Sequence, residues 1–87
     1  MAKNISVSLS DFSRVTKISD SENLEVLAYD PEKNVMLAMF VSGGSYLYHN
    51  VEPSIFGTLV AAKSVGTAFI SLIRNNAKYR FTSLGRL

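Results

Sequence analysis

The chain has 87 residues, of which 47% are apolar and 18% charged, and this length and composition fit one small globular domain. It contains no cysteine and a single histidine, which excludes disulfides, thiol nucleophiles, zinc fingers and histidine-rich metal sites. A folded chain of this size buries only about 60–65% of the surface that its unfolded form exposes, so association with a second copy is a natural source of stability.

Charge is divided unevenly along the chain, although the net charge is only +2. Residues 1–52 hold all seven acidic residues against four basic ones, whereas residues 53–87 hold five basic residues and no acid. An acid-free basic segment such as residues 53–87 is typical of a surface that binds an anion. The same bases can also face the acids of the first half within one fold. The five bases are Lys63, Arg74, Lys78, Arg80 and Arg86.

The hydropathy pattern contains no run of about 18 apolar residues, so we expect no transmembrane helix. The N-terminus alternates apolar side chains with serine and lacks the apolar block of a signal peptide. We therefore expect a cytoplasmic protein without a membrane partner.

The N-terminal part of the chain predicts one strand ahead of the main sheet. Residues 5–9 alternate apolar and serine side chains, which is typical of a half-exposed strand. The stretch 11–23 gives mixed signals: three apolar residues recur at the spacing of a helical turn, but residues 15–18 also suit an extended chain. We therefore predict a loop or a short strand there.

Three strands in succession predict an antiparallel meander. Residues 24–29 suit the first strand and end at the turn-forming cluster Asp30–Asn34, in which a proline presets φ. Residues 35–41 are apolar on both faces and predict a buried strand, after which Ser42–Ser45 turns the chain into a strand over residues 46–51.

The periodicity then changes to that of helices. Pro53 suits the first turn of an amphipathic helix, and Ser64 can cap a second helix that ends near Arg74. Tyr79 and Phe81 then alternate with polar side chains, as in a last strand or an extended tail. The predicted fold class is α+β, an antiparallel meander followed by two short helices and a C-terminal strand or extended tail.

Between Leu24 and Leu84, several short motifs in a fixed order and spacing resemble one known domain. They are Tyr29-Asp30-Pro31, Tyr46-x-Tyr48-x-x-Val51-x-Pro53, an apolar helix ending in Leu59-Val60-Ala61-Ala62, Ser64-x-Gly66, Phe69, Ile73-Arg74 and Tyr79. This set resembles the KTSC domain, a short module named from its occurrence at the C-terminus of some lysyl-tRNA synthetases.

The resemblance implies a KTSC-like domain over residues 24–87, preceded by an N-terminal extension over residues 1–23. It also implies a small bacterial or phage protein of a family with no established activity, for which RNA binding is a proposal. Where the family often has a basic residue inside Ser-x-Gly and a polar helix end, this chain has Val65 and Ile70-Ser71-Leu72, so its second helix is more apolar.

Tyr46 and Tyr48 lie two residues apart on a predicted strand, so both rings project from one face. Sheet-based RNA-binding proteins stack bases on such a pair. Aromatic side chains at the edge of a core also pack beneath helices with their hydroxyls reaching out, and this use is the more frequent one. His49 lies on the opposite face, where we expect a surface or hydrogen-bonding role.

The segment from Lys63 to Gly66 suits an anion-binding site at the start of the second helix. If Ser64 caps that helix, free backbone N–H groups point outward, Gly66 lets an oxyanion approach the backbone and Lys63 adds charge. The same residues also suit a tight corner between two helices, and the two interpretations are compatible.

We predict from the sequence a non-enzymatic binding module for RNA, a nucleotide or another phosphate ligand, with no cofactor and no metal. Neither the paired carboxylates nor the order of Ser, His and Asp residues in the sequence indicates a catalytic site beyond what chance would produce. The predicted phosphate contacts are Lys63, Ser64, Gly66, Arg74, Lys78 and Arg80, and the predicted stacking residues are Tyr46 and Tyr48. The alternative is an oligomerising protein-interaction module, of which a phage-encoded modulator of a host protein is one form.

Self-association is the first testable prediction. Residues 35–41 are apolar on both faces of their strand, but two short helices can cover only one face of the sheet. The N-terminal strand can cover the other face within the chain, or a second copy can cover it between chains, and large exposed apolar patches are rare on monomers. We therefore expect light scattering at micromolar concentration and moderate salt to give the mass of a dimer or a larger assembly. A monomeric mass under those conditions would contradict the prediction.

Overall fold

The computed structural model describes residues 12–18 and 23–85. Within them, five strands form one antiparallel sheet in the order β1-β2-β3-β4-β5. In chain order the elements are β1 (Arg14–Lys17), β2 (Leu24–Asp30), β3 (Val35–Phe40), β4 (Ser45–Tyr48), helix α1 (Pro53–Ala61), helix α2 (Val65–Phe69), a π-helical turn (Ile70–Arg74) and β5 (Phe81–Gly85). The predicted α+β arrangement is thereby confirmed, and the last segment is a strand.

In the N-terminal part, the stretch that fitted either a loop or a strand contains β1, which pairs with β2. The strand predicted over residues 5–9 lies outside the described residues. No helix in the described part of the chain is long and apolar enough to cross a membrane.

Two asparagines in the left-handed region shape the connections around β2 and β4. Asn34 has φ 56° at the end of the β2–β3 turn, and Asn50 has φ 60° after β4. Asparagine tolerates this conformation better than most residues. The backbone N–H of Val51 donates to the carbonyl of Asn34 over 2.8 Å, and the Tyr29 hydroxyl donates to the carbonyl of Val51 over 2.6 Å. These bonds attach the entry of α1 to the sheet.

Both helices begin as the sequence predicts. Pro53 occupies the first turn of α1, where its missing N–H is not needed. Ser64 caps α2, because its hydroxyl accepts a hydrogen bond from the backbone N–H of Thr67 over 3.3 Å. The buried faces of the helices pack on the sheet, with the Phe56 ring stacked on the Tyr29 ring at 4.9 Å between centroids.

The main core lies between the helices and one face of the sheet. Its buried members are Leu24, Leu27, Tyr29, Met36, Ala38, Tyr48, Val51, Phe56, Leu59, Val65, Phe69, Ile73 and Tyr79. On the other face, Phe12 packs against Ala28 and Leu37, and all three are buried. Half-buried Val35, Met39, Leu47 and Leu84 surround that smaller cluster. Association through this face stays a prediction.

Candidate ligand-binding cleft

An open cleft of about 610 Å³ lies on the helix-covered face, between the sheet and the end of the π turn. This volume is within the range of about 300–1,000 Å³ that small-ligand sites occupy. Its lining residues are Asn23, Phe40, Val41, Ser42, Tyr46, Tyr48, Arg74 and Phe81. Three of the residues predicted from the sequence, Tyr46, Tyr48 and Arg74, therefore meet here.

Phe40, Tyr46 and Phe81 form an aromatic wall. The Tyr46 ring is in the middle, with its centroid 5.7 Å from that of Phe40 and 5.5 Å from that of Phe81, and both contacts are edge-to-face. Strand pairing brings Phe81 beside the tyrosines, since it lies directly opposite Tyr48. The Phe81 side chain is 56% exposed, so the outer part of the wall is open to solvent.

Tyr48 serves packing more than the cleft. It is only 4% exposed, and its ring lies edge-to-face against Phe69 with 5.6 Å between centroids. Burial raises the pKa of its hydroxyl, an effect that the charge of Arg74 opposes. Of the two uses considered for the tyrosine pair, packing beneath the helices therefore describes the Tyr48 ring, whereas half-buried Tyr46 belongs to the wall.

Arg74 reaches the cleft because the chain leaves α-helical geometry before it. In the π turn, the backbone N–H of Asn75 donates to the carbonyl of Ile70, five residues back, over 2.9 Å. An α-helix advances about 100° per residue, so it would place Arg74 about 140° around the axis from buried Phe69, on the solvent side. A π turn needs more residues per revolution, which returns Arg74 toward the side of Phe69. Such turns occur frequently at functional sites.

The guanidinium of Arg74 is available for a ligand. Within the described residues, 12–18 and 23–85, the ion pair joins Lys78 and Glu52. Arg74 has no carboxylate partner among these residues. A guanidinium offers five N–H donors in a planar fork that matches carboxylate and phosphate groups. The lining of the cleft, as far as the structure describes the chain, therefore combines aromatic surface with one cation that has no carboxylate partner.

Lys78 does not belong to the cleft. Its Nζ lies 2.6 Å from Oε2 of Glu52, and the Tyr79 hydroxyl donates to the other carboxylate oxygen over 3.0 Å. The hydrogen bond from Lys78, with those from the backbone and Tyr79, lowers the pKa of Glu52 to about 2. Glu52 directly precedes α1, so this cluster connects the start of that helix to the segment before β5.

The cluster around Glu52 predicts a specific dependence of stability on pH. Because the folded-state pKa lies below the usual 4.5, ionised Glu52 stabilises the fold above about pH 4.5 and this stabilisation is lost as the pH falls toward 2. We expect Glu52→Gln to melt at a lower temperature than the wild type at pH 7. Its melting temperature should also fall less than that of the wild type between pH 4.5 and pH 2 in calorimetry.

Glu32→Gln is the matched control for this prediction, because Glu32 is exposed in the β2–β3 turn, away from α1. It should melt like the wild type at pH 7. Equal melting temperatures for Glu52→Gln and the wild type at both ends of the pH range would contradict the role assigned to Glu52.

The other predicted phosphate contacts lie apart from the cleft. Gly66, Ser64 and Lys63 precede Arg74 by eight to eleven residues, which puts them roughly 12–17 Å away at the other end of α2. The Ser64 hydroxyl is engaged with Thr67, as a helix corner requires. Arg80 accepts a backbone hydrogen bond from His49 over 2.9 Å, and strand alternation places its side chain on the face opposite Phe81.

Phe40 and Phe81 are the site residues that the sequence reasoning did not identify. Phe40 ends an apolar strand, and nothing in the sequence distinguishes it from the core residues of that strand. The sequence placed Phe81 in an alternating strand or tail. That Phe81 pairs with Tyr48 depends on the register between β4 and β5, which no local sequence pattern specifies.

The polar side chains that line the cleft carry amide, hydroxyl and guanidinium groups. Among its lining residues, the structure places no carboxylate, histidine or lysine. No group of three His, Cys, Asp or Glu side chains within the described ranges could hold a metal ion.

Comparison with known proteins gives the family of this chain. The model of the KTSC domain matches residues 20–79. A protein from Tsukamurella paurometabola is 38% identical over 47 residues, which cover 54% of this chain and 70% of that relative. An uncharacterized protein from Stutzerimonas stutzeri is 39% identical over 49 residues, which cover 56% of this chain and 69% of that relative.

A solved structure has the same fold. The crystal structure of a KTSC domain protein from Yersinia pestis superimposes with a TM-score of 0.72 at 24% sequence identity, covering 83% of this chain and 97% of that one. The matched residues 20–79 run from the start of β2 through the π turn, so they include Tyr46, Tyr48 and Arg74, whereas Phe81 follows them. Because the model of the KTSC domain matches more than half of its residues, the chain belongs to the KTSC domain family.

Proposed function

We propose that this protein is a non-enzymatic binding module for a nucleotide, either free or within single-stranded RNA, and that the cleft is its binding site. The observation that carries the proposal is an aromatic wall beside an arginine that has no carboxylate partner in the described part of the chain. A nucleotide combines a flat base, which stacks on aromatic side chains, with a phosphate, which pairs with a guanidinium.

The wall is organised before a ligand arrives. The contacts of Tyr46 with Phe40 and Phe81 hold three rings against one another, so little side-chain entropy remains to be lost when a base stacks. Stacking of one base on an aromatic side chain contributes about 1–3 kcal/mol. Phe81 presents the most exposed ring surface of the wall and is the expected stacking residue.

Binding rather than catalysis is supported by the lining of the cleft. Proton transfer and nucleophilic attack in enzymes most often use histidine, carboxylates, lysine, cysteine or an activated serine. The polar groups that line this cleft are amide, hydroxyl and guanidinium groups.

Substitution of the cleft arginine tests the proposal. Arg74→Gln should weaken nucleotide binding about 10- to 100-fold, because hydrogen bonds to a charged group contribute about 1.5–3 kcal/mol. Lys63→Gln removes the same charge at the other end of α2 and should bind within about twofold of the wild type. NMR titration with adenosine and uridine monophosphates at low salt measures both.

The same titration locates the phosphate if the cleft is not its site. A loss of affinity in Lys63→Gln with none in Arg74→Gln would place the phosphate at the corner between α1 and α2 and contradict the assignment to the cleft. Chemical shift changes confined to residues of the cleft are expected for the wild type.

Substitution of Phe81 tests the stacking surface. Phe81→Leu keeps an apolar side chain but removes the flat ring, so we expect affinity to fall about 5- to 100-fold, the range for losing one stacked base. Phe81→Tyr keeps the ring and should bind like the wild type. Unfolding in urea verifies that both variants fold, and equal affinities of the two variants would exclude stacking on Phe81.

The alternative function is a protein-interaction module. The observation in its favour is that the rim of the cleft exposes two large apolar side chains, Val41 at 60% and Phe81 at 56%. If the wild type binds no nucleotide at low salt, this function replaces the first.

A further inference from the structure

The basic residues nearest to the cleft in sequence do not surround it in space. Lys78 is engaged by Glu52 at 2.6 Å. Lys63 lies at the far end of α2, roughly 17 Å from Arg74. Arg80 occupies the opposite face of the sheet from Phe81. Arg74 is thus the one charged side chain that lines the cleft within the described residues.

The basic residues that the structure describes in the first half are also placed away from the cleft. Arg14 and Lys17 lie on β1, at the other edge of the sheet from β5. Lys17 lies on the same face of β1 as Val15, which pairs with Ala28 of the smaller cluster, so its side chain is on the sheet face opposite the cleft. Arg14 pairs with Tyr29, which is six residues along the chain from Asn23 at the cleft, or about 20 Å of extended strand. Lys33 lies in the turn between β2 and β3. These cations therefore form no continuous row with Arg74.

Proteins that hold a nucleic acid strand neutralise successive phosphates along a positively charged groove. The cleft neutralises one phosphate and has a volume typical of a site for a small molecule. A second or third phosphate of a bound ligand would find no cation among the lining residues and would keep its hydration instead.

We propose that the natural ligand of the cleft is a free nucleoside monophosphate, and that RNA strands and nucleoside triphosphates gain nothing from their additional phosphates. This inference rests on the proposed function, and it selects one ligand class within it. The base stacks on the aromatic wall, and the single phosphate pairs with the guanidinium of Arg74.

The Tyr48 hydroxyl can add a polar contact to this arrangement. Tyr46 and Tyr48 both line the cleft with Arg74. A tyrosine hydroxyl ordinarily keeps its proton at neutral pH, and burial raises the pKa of Tyr48 further, so this hydroxyl can donate a hydrogen bond to a phosphate oxygen. A monophosphate carries more than one negative charge at pH 7, so a hydroxyl donor beside one arginine suits it.

The experiment compares ligands that differ only in phosphate number and chain length. Calorimetric titration at low salt uses uridine and adenosine, their 5′-monophosphates and 5′-triphosphates, and RNA hexamers of each base. We expect the monophosphate to bind at least tenfold more tightly than the nucleoside, and the triphosphate and hexamer to stay within threefold of the monophosphate. The hexamer should show a slope of log affinity against log salt near −0.7, the value for about one phosphate contact.

Arg74→Gln makes the comparison specific to the cleft, since it should bring the monophosphate to the affinity of the nucleoside. A hexamer that binds more than tenfold tighter than the monophosphate, with a slope steeper than about −2, overturns the inference in favour of an RNA strand while the proposed function stands. A triphosphate that binds more than tenfold tighter overturns it in favour of a polyphosphate. Binding of none of these probes overturns the proposed function, and this inference with it.

Discussion

The pairing of β5 with β4 is the constraint on which the rest of the structure depends. Tyr48 and Phe81 face each other across this pair, although both helices lie between them in the chain. The chain that leaves β4 has to return antiparallel beside it, so α1, α2 and the π turn cross one face of the sheet. This crossing forms the main core and brings Arg74 to the strand that carries Phe81. The position of the cleft is thus a consequence of topology.

Charge along the sequence and charge in space differ in this protein. The acid-free second half suggested a basic surface, yet Lys78 pairs with Glu52, and the other described bases, Lys63, Arg74 and Arg80, lie in different parts of the domain. Among the residues that the structure describes, the aromatic cleft then holds a single arginine without a carboxylate partner in place of a positive groove. Recognition of one anionic group beside a flat ring needs no more than this.

The sequence predicted those features that local chemistry determines. The meander follows from alternating strands and turn residues, and the Ser64 cap follows from a side chain acting on a backbone N–H three residues away. Contacts between distant segments were not predictable in this way. Three features depend on how packed elements meet: the Lys78–Glu52 pair, the Phe81–Tyr48 register and the extra residue of the π turn. No partner for Lys78 or for Phe81 could therefore be predicted from the sequence alone.

Fold and site share one set of contacts at Phe81. Its ring lies 5.5 Å from the rings of both Tyr46 and Tyr48, so it helps to hold the edge strand on the sheet while more than half of the side chain stays exposed. An exposed aromatic ring gains little from burial, and Arg74 gains nothing from an ion pair in the described part of the chain. Stability alone therefore does not explain why these two side chains adjoin the same cleft. Their chemistry is complementary to a planar anion, which is the physical basis for interpreting the cleft as a binding site.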